Sequence, residues 1–506
     1  GTLFQVDTEK LIGEAADPLK KLAKLSDATL KDIKEGRALL KEALEKIKET
    51  EALCDLIIAQ PVSEDQSLKN VLFEDWENLR KSILVSDSLK AAKKILNPLK
   101  VLHFPIAFPE VFLGKSSGFN VILGNPPWEE IKAEERDYWT GLFPGLRGLS
   151  QKDQIEKFSE LSSKRPDLRK RWLEIESATK NLARILKSGN FPGLEVGDFD
   201  LYKAFCWRFW NICSNKIGKI GVLLPRSAVA AKGSELFRKK LFEKAKTLDI
   251  TTLQNTGKWI FEIHPQYTIA LTCLSKTDVE DEGITIKGPF NSYETYSLGI
   301  NEASLKFPAN EVLSWSDDGA LPLLPSNEST EVFRQLRKSP RLDLKDKNTW
   351  RARPDRELDA SLQKHLMDLE SEECPKDFWP VYKGGSFDIW EADKGEYYAW
   401  ANPAKVLPWL QEKRLRSYKS SRDSVHKEYQ KNYIEDPKTL APMKPKIAFR
   451  LITNRTNSRT MVCALTPPNV FHSNSSQIIM MPKGDNKDEA YLLGVLSSIP
   501  LDWYAR

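Results

Sequence analysis

An apolar run that stops abruptly in a polar, proline-rich turn restricts how the chain around residues 119–128 can fold. Residues 119–124 read Phe-Asn-Val-Ile-Leu-Gly and are followed at once by Asn125, Pro126, Pro127 and Trp128. A short apolar run bounded by turn residues is typical of a buried β-strand. The prolines donate no backbone hydrogen bond, so the strand has to end before them. The sequence therefore predicts a strand tip that carries an amide, two prolines and an indole ring.

These residue types at a strand tip suit one kind of chemistry, which is to hold the amino group of a nucleobase turned out of its stack. The side-chain oxygen of Asn125 and the carbonyl of Pro126 can each accept a hydrogen bond from an NH2 group. The face of Trp128 can stack on the base. Two acceptors steer the amino nitrogen towards tetrahedral geometry, which frees its lone pair to attack a methyl group. The pattern favours amino-group methylation, although an ordinary turn uses the same residues.

Four further sequence segments lie before and after this turn along the chain. They are HFPIAFPEVF at 103–112, DFDLYKAF at 198–205, GKIGVLLPRS at 218–227 and WIFEIHPQYTIAL at 259–271. Together with the turn they resemble, over residues 103 to 275, the gamma-type amino-methylating (N6-adenine) DNA methyltransferases. The resemblance is to the large type IIG enzymes of restriction-modification and phage-defence systems.

The resemblance implies methyl transfer from S-adenosylmethionine to adenine N6 in a specific sequence of double-stranded DNA. The N4 of cytosine is the chemical alternative, and the family's use of Asn at the first position favours adenine. Residues 125–128 would be catalytic, and Trp128 and Phe261 would cover the two faces of the flipped base. Asp200, Tyr202 and Phe205 would lie beside the cofactor. For Phe261, and for the helix pair Tyr202 and Phe205, plain core packing is the alternative.

One family motif has no counterpart in the chain. The glycine-rich turn Asp-Pro-x-x-Gly-x-Gly-x-Phe, which holds the methionine end of S-adenosylmethionine, is absent between Gly1 and Gly118. The chain begins without Met and stops within a helical pattern at residues 501–506. We therefore expect a piece of a larger enzyme whose cofactor motif lies in an N-terminal part or a partner chain. A catalytically incomplete DNA-recognition module, serving a partner nuclease or helicase, is the second hypothesis.

The residue patterns divide the chain into three expected parts. Leu and Ile at three- and four-residue spacing predict a helical bundle over 1–100. An α/β catalytic core is expected over 101–280: the second half of a Rossmann-like methyltransferase sheet, with a helical insertion at 129–190. Short strands and frequent prolines over 281–506 indicate the truncated start of an α+β target-recognition domain.

Individual helices and strands follow from the same periodicities. Helices are predicted at 7–60, with breaks near 17–18 and 26–27, and at 74–98, 199–214 and 234–245. Strands are predicted at 219–224, 250–255, 267–275, 444–450, 461–465 and 477–481.

Composition excludes some classes of protein. The longest apolar runs, such as residues 220–224, are too short to cross a bilayer, and no signal pattern opens the chain, so a cytoplasmic protein is expected. Six cysteines lack metal-site spacing, which argues against a structural metal or a disulfide framework and predicts free thiols in cores.

A cluster of cations follows in the last third of the chain. Lys413, Arg414, Arg416, Lys419 and Arg422 lie within ten residues that also contain a tyrosine and three serines. This mixture suits contacts to DNA phosphates. An exposed basic helix without a partner is the alternative, and the insertion at 129–190 is a second candidate DNA surface.

Overall fold

A computed structural model describes residues 13–505 except 14–15, 23, 27, 71–79, 114–115, 190, 197–198, 263–266, 278–281, 303–305, 325, 347–349, 421 and 455–456. The chain forms two compact units, Gly1–Glu331 and Val332–Arg506. None of the helices in the described part is long and apolar enough to cross a membrane.

Helices and one sheet make up the first unit. Its helices are α1 Ala16–Leu22, α2 Leu30–Ala59, α3 Gln66–Asn70, α4 Asp87–Leu96, α5 Phe104–Ala107, α6 Pro109–Phe112, α7 Glu135–Leu142, α8 Gln151–Lys164, α9 Pro166–Lys187, α10 Leu201–Ile212, α11 Ser227–Ala230, α12 Glu235–Lys244, α13 Tyr293–Gly299 and α14 Ala309–Trp315. Its strands are β1 Val121–Gly124, β2 Lys219–Pro225, β3 Thr247–Gln254, β4 Thr268–Ser275, β5 Gly283–Phe290 and β6 Lys306–Phe307. Helix α15, Asn327–Arg337, contains the boundary between the units.

The second unit is built around short strands. These are β7 Arg353–Asp355, β8 Met367–Asp368, β9 Trp379–Tyr382, β10 Ala399–Ala401, β11 Lys446–Arg450, β12 Cys463–Thr466, β13 Phe471–His472 and β14 Ser476–Met480. Its helices are α16 Pro403–Lys419, α17 Lys431–Glu435, α18 Asn486–Leu496 and α19 Ile499–Ala505.

Helix α2 organises the N-terminal bundle. It begins where the Thr29 side chain accepts a hydrogen bond from the Asp32 amide at 3.1 Å, which caps the first turn. One face buries Leu53 and Leu56 completely, and these side chains pack with Leu89 of α4 and Ile83. The described residues of this region thus share an apolar core.

The six-stranded sheet of the first unit has the order β1-β2-β4-β3-β5-β6. Strand β1 pairs with β2, and β3 with β5, in parallel, whereas β4 runs antiparallel between β2 and β3. The α/β class is thereby confirmed, and the strands predicted at 219–224, 250–255 and 267–275 are found as β2, β3 and β4. The sheet also takes in β5 and β6, which lie beyond residue 280.

Strand β1 is the outermost strand of this sheet on its side. The chain enters β1 through Gly118, whose φ of +108° is readily adopted only by glycine. A Cβ at this position would lie 2.8 Å from the Ile212 carbonyl oxygen, so a larger residue would not fit. Side chains alternate between the two faces of a strand. Ile122 is buried, whereas Val121 and Leu123 are 59% and 82% exposed. One apolar face of β1 is therefore uncovered in the part of the chain that the structure describes.

Two four-stranded sheets, in the orders β13-β9-β10-β8 and β12-β11-β14-β7, form the second unit. A buried charge pair lies between them and their helices: Lys446 Nζ is 3.8 Å from Glu357 Oε1, and both side chains are 3% exposed. Lys446 also donates to the Val470 carbonyl at 3.1 Å, and Glu357 accepts from the His472 amide at 2.8 Å. Burial lowers the pKa of Lys446 and raises the pKa of Glu357.

All six cysteines are free thiols. Cys206, Cys213 and Cys463 are buried, as predicted for core thiols. The prediction is wrong for Cys273 and Cys374, which are exposed. Cys273 lies on β4 and is the one exposed residue of that strand.

Candidate nucleobase site

The turn that follows β1 lies at one rim of the first unit's sheet. Strands β1, β2 and β3 end at this rim, and β4 begins there, because β4 runs in the opposite direction. The carboxyl ends of parallel strands are where open α/β sheets bind ligands. Pro126 is buried beneath the turn, whereas Asn125 and Pro127 are exposed and Trp128 is half-buried.

The side chain of Asn125 is available for a ligand. It is exposed and makes no hydrogen bond to any residue that the structure describes. An asparagine that only shaped the turn would instead bond to the backbone nearby. Its amide oxygen and nitrogen are thus left for partners other than the described chain.

Two further aromatic rings contact Trp128, the last residue of the turn. The Trp128 ring lies 6.4 Å from Phe261 at an interplanar angle of 88°, and 6.4 Å from Tyr267 at 34°. The predicted pair of Trp128 and Phe261 is therefore in contact, but edge to face. Tyr267, which the sequence analysis did not select, is 49% exposed and lies closer to parallel with Trp128.

The indole nitrogen of Trp128 is a buried donor. Its Nε1 atom finds no hydrogen-bond acceptor among the described residues. An unpaired buried donor is costly, about 1–3 kcal/mol, and such atoms occur where a ligand or an ordered water supplies the partner.

Backbone hydrogen bonds tie the turn to the start of α10. The Leu201 amide donates to the Glu129 carbonyl at 2.9 Å, and the Ile131 amide donates to the Phe199 carbonyl at 2.8 Å. These bonds place the predicted cofactor residues, which are on or beside the first turn of α10, close to the residues that follow Trp128. Asp198 of the same motif lies outside the described residues.

The three predicted cofactor residues have different surroundings. Tyr202 is 2% exposed, and its hydroxyl is hydrogen-bonded to Ser227 Oγ at 3.0 Å and Ser234 Oγ at 3.1 Å. Burial raises the pKa of this hydroxyl. Asp200 precedes the helix, and its carboxylate lies 3.8 Å from Lys203 Nζ. The Phe205 ring is 37% exposed, so of the two rings only this one offers a face to a ligand.

Packing of α10 against β1 fixes the position of the turn. The Phe209 ring lies so close to Gly124 that a Cβ on this glycine would be 2.8 Å from Cζ. A larger residue at the last position of β1 would push α10 away. Gly124 thus permits the helix and the strand tip to approach each other.

Asn255, directly after β3, holds the two aromatic residues of the opposite wall. It is fully buried; its Nδ2 donates to the Phe261 carbonyl at 2.9 Å, and its Oδ1 accepts from the amides of Ile260 and Phe261, both at 3.1 Å. Its backbone amide donates to the Tyr267 carbonyl at 3.0 Å. Asn255 lies at the end of the strand predicted at 250–255, and no role in the site was predicted for it from the sequence. Residues 263–266 of this motif lie outside the described residues.

We expect Asn255→Ala to loosen the wall formed by Phe261. The change leaves three backbone groups without their partner, which costs roughly 1–3 kcal/mol for a buried group. Hydrogen exchange of the Ile260 and Phe261 amides should become faster, with little change in α10. Thr256→Ala, at the exposed neighbouring position, is the control. Unchanged exchange at Ile260 and Phe261 would contradict the assigned role.

Two members of the predicted DNA-contacting run have partners within the second unit, where Lys413 is half-buried and Arg414 is buried. Lys413 donates to the carbonyls of Arg356 and Glu357, and burial lowers its pKa. Arg414 is 5% exposed and donates to Thr439 Oγ1 at 3.0 Å and the Asp436 carbonyl at 2.9 Å. These bonds hold α16 in place. Contact of Lys413 and Arg414 with phosphate stays a prediction, and it would require these side chains to exchange their present partners.

The other three cations of the run remain accessible. Arg416 is exposed and lies 3.8 Å from Glu412, an ion pair weak enough to exchange for a phosphate. Lys419 and Arg422 are exposed as well. A phosphate-contacting surface in this region would consist of Arg416, Lys419 and Arg422.

No group of three or more His, Cys, Asp or Glu side chains within the described ranges could hold a metal ion. No protein-family model and no curated protein matches the chain.

Solved structures that match the chain include three restriction enzymes. The type IIG restriction endonuclease BpuSI is 14% identical, with a TM-score of 0.26, over 63% of this chain and 41% of that chain. The type IIL restriction-modification enzyme MmeI, in complex with DNA, is 14% identical, with a TM-score of 0.32, over 97% of this chain and 61% of that chain. The type ISP restriction-modification enzyme LlaGI, with a DNA substrate mimic, is 11% identical, with a TM-score of 0.32, over 98% of this chain and 51% of that chain. The chain thus spans less than two thirds of each protein, and scores this low establish neither its family nor its activity.

Proposed function

We propose that this chain is part of a site-specific DNA methyltransferase that transfers a methyl group from S-adenosylmethionine to adenine N6. The enzyme would act on double-stranded DNA in a restriction-modification or phage-defence system in the cytoplasm. The observation that carries the proposal is the unbonded amide of Asn125, exposed at the sheet rim beside the rings of Trp128, Phe261 and Tyr267. The sheet would then be the second half of a Rossmann-like methyltransferase sheet.

The turn supplies the two acceptors that this reaction needs. The Asn125 oxygen and the Pro126 carbonyl would each accept one hydrogen of the adenine amino group, and the prolines keep the backbone rigid. The lone pair of the nitrogen then points away from both acceptors, towards the methyl donor. The rings around Trp128 exclude water and stack on the base, which repays part of the cost of flipping.

The residues near the turn fit the methyl donor only in part. S-adenosylmethionine supplies an electrophilic methyl group when it is bound. Phe205 has an exposed ring for such a ligand, but the Tyr202 hydroxyl is already bonded to two serines. The uncovered face of β1, with Leu123 82% exposed, leaves room for further sheet or helix to pack. We infer that the remaining cofactor contacts come from residues beyond this chain.

A methyl-transfer assay on the full-length protein that contains this chain tests the proposal. The protein is incubated with tritiated S-adenosylmethionine and mixed-sequence duplex DNA, and the labelled nucleoside is identified after digestion. We expect labelled N6-methyladenine. Labelled N4-methylcytosine would replace adenine as the target base. DNA binding without any transfer would instead favour the recognition module that serves a partner nuclease or helicase.

Tyr267 is expected to matter more for base capture than Phe261. A base stacked between two rings needs them about 7 Å apart and nearly parallel, since each contact takes about 3.5 Å. The Trp128–Tyr267 pair comes nearer to this than the edge-on Phe261. Losing a stack costs about 1–3 kcal/mol. With 2-aminopurine at the methylated position, Tyr267→Ala should reduce the fluorescence increase that accompanies base flipping more than Phe261→Ala does. The reverse order would indicate that Phe261 covers the second face of the base.

The accessible cations of the second unit are expected to bind phosphates without reading sequence. Each lost phosphate contact lowers the slope of log affinity against log salt by roughly 0.9, so Arg416→Ala with Lys419→Ala should flatten it by about 2. Specific and non-specific DNA should lose affinity alike. Lys405→Ala with Lys431→Ala, at exposed sites outside the run, controls for net charge. An unaltered slope in the first variant would make this run an ordinary solvated surface.

A further inference from the structure

A second concave site lies at the opposite rim of the first unit's sheet. Its cavity has a volume of about 600 Å³, and five of its eight lining residues are lysines: Lys216, Lys240, Lys244, Lys246 and Lys276. No lining residue is acidic. One of these lysines is already compensated, because Lys246 Nζ lies 3.0 Å from Glu282 Oε1. The described lining of the cavity is therefore positive through its other lysines.

The position of the cavity separates it from the nucleobase site. Lys246 directly precedes β3, and Lys276 directly follows β4, whereas Asn255 and Tyr267 lie at the other ends of these strands. Both strands have eight residues. At about 3.3 Å per residue, the two rims are roughly 25 Å apart. A ligand in this cavity would not be the base held beside Trp128.

Lys276 is a buried cation held by neutral groups. It is 7% exposed, and its Nζ donates to the Trp210 carbonyl at 2.5 Å, the Cys213 carbonyl at 3.0 Å and Asn215 Oδ1 at 3.0 Å. Burial lowers the pKa of this ammonium, and Lys240 lowers it further. Among the described residues no carboxylate pairs with it; Asp278, Glu280 and Asp281 lie outside that part. An anion in the cavity would offset the cost of this buried charge.

Lys240 and Lys244 present two further charges on one face of α12. They are four residues apart, so they are neighbours on the helix surface, and neither makes an ion pair or hydrogen bond to a described residue. Like charges at this spacing destabilise a helix by about 0.2–0.5 kcal/mol. The helix dipole favours cations in the last turn. It does not account for Lys276, which reaches the same cavity from the end of β4.

We propose that this cavity binds a compact polyphosphate, a chain of two or three phosphate groups that is either free or carried by a nucleoside. Cavities of roughly 300–1,000 Å³ hold small ligands, and lysine ammonium groups bind phosphates as point charges. Lys240 and Lys244 contact the phosphate oxygens directly. Lys276, with its three donors already bonded, contributes its charge and positions the Trp210 end of the cavity.

Calorimetric titration of the full-length protein with tripolyphosphate, ATP and inorganic phosphate, without divalent cations, tests the proposal. We expect the first two to bind and inorganic phosphate to bind at least tenfold more weakly. Lys240→Gln with Lys244→Gln should weaken binding of tripolyphosphate at least tenfold. Lys232→Gln with Lys239→Gln, which removes the same charge outside the cavity, should change it less than twofold.

The arms of the titration also identify the source of the phosphates. Equal affinities for ATP and tripolyphosphate assign the site to the phosphate chain, and tighter ATP binding assigns it to a nucleotide. The proposal is overturned if neither ligand binds, or if both cavity lysines can be replaced without loss of affinity. The proposal is also overturned if the variant with Lys240→Gln and Lys244→Gln loses affinity for duplex DNA but keeps its affinity for tripolyphosphate. None of these results depends on methyl transfer.

Discussion

Replacing Asn125 by alanine in the full-length protein is expected to reduce methyl transfer at least about a hundredfold while DNA binding persists. The side chain is exposed and bonds to none of the described residues, so its loss should change the free energy of unfolding by no more than about 0.5 kcal/mol. The rate should fall because one of two groups that orient the reacting amine is missing. Removal of one preorganised polar group of this kind from an active site typically costs 10²–10³ in rate, roughly.

Two further variants separate chemistry from structure. Asn125→Asp keeps an oxygen acceptor in the same place and should retain more activity than Asn125→Ala. Asn120→Ala, at an exposed asparagine just before β1, should leave transfer unchanged. Tritium incorporation by Asn125→Ala at the wild-type rate would remove the turn from the active site, whatever the behaviour of the other two.

The second large effect is expected in the second unit. Lys446→Met should destabilise it by about 3–5 kcal/mol, because the change leaves the Glu357 carboxylate buried without its partner. The expected result is faster hydrogen exchange throughout β11 and β14. Exchange is the appropriate measurement because a chain of two units is not expected to unfold in one step.

Matched variants distinguish a lost charge partner from a lost side chain. Lys444→Met removes an exposed lysine two residues away and should change exchange little. Adding Glu357→Gln to Lys446→Met removes the unpaired charge and should restore a large part of the lost stability. If Lys446→Met is as stable as Lys444→Met, the Lys446–Glu357 pair makes no net contribution to the stability of the second unit.

The sequence predicted the helices and strands around the first unit's sheet well because their periodicities are strong. The strand predicted at 219–224 is Lys219–Pro225, and the helix predicted at 199–214 is Leu201–Ile212. The order of the strands could not be read in this way. It depends on pairing between distant segments, such as Leu223 with Leu271, which local patterns do not encode.

The same limit explains what was missed in the site. Tyr267 and Asn255 became candidates only when the pairing of β3 with β4 brought the Asn255 amide to the Tyr267 carbonyl. Conversely, Lys413 and Arg414 look like surface cations in the sequence. Their bonds to the carbonyl groups of segments near 356 and 436 appear only in the structure, because these segments lie far away along the chain. Charge alone therefore does not tell an exposed cation from one that anchors a helix.

The two hydrogen bonds between Glu129–Ile131 and Phe199–Leu201 also bear on how such a chain can change over evolution. The segment between them, with α7, α8 and α9, leaves and returns at adjoining points. Its ends are already joined, and the entropy of closing a loop rises only slowly with length. Helices can be added or removed here without moving the rim of the sheet. The segment between Ile131 and Phe199 is thus a position where the chain can gain or lose surface while the neighbouring turn at 125–128 stays in place.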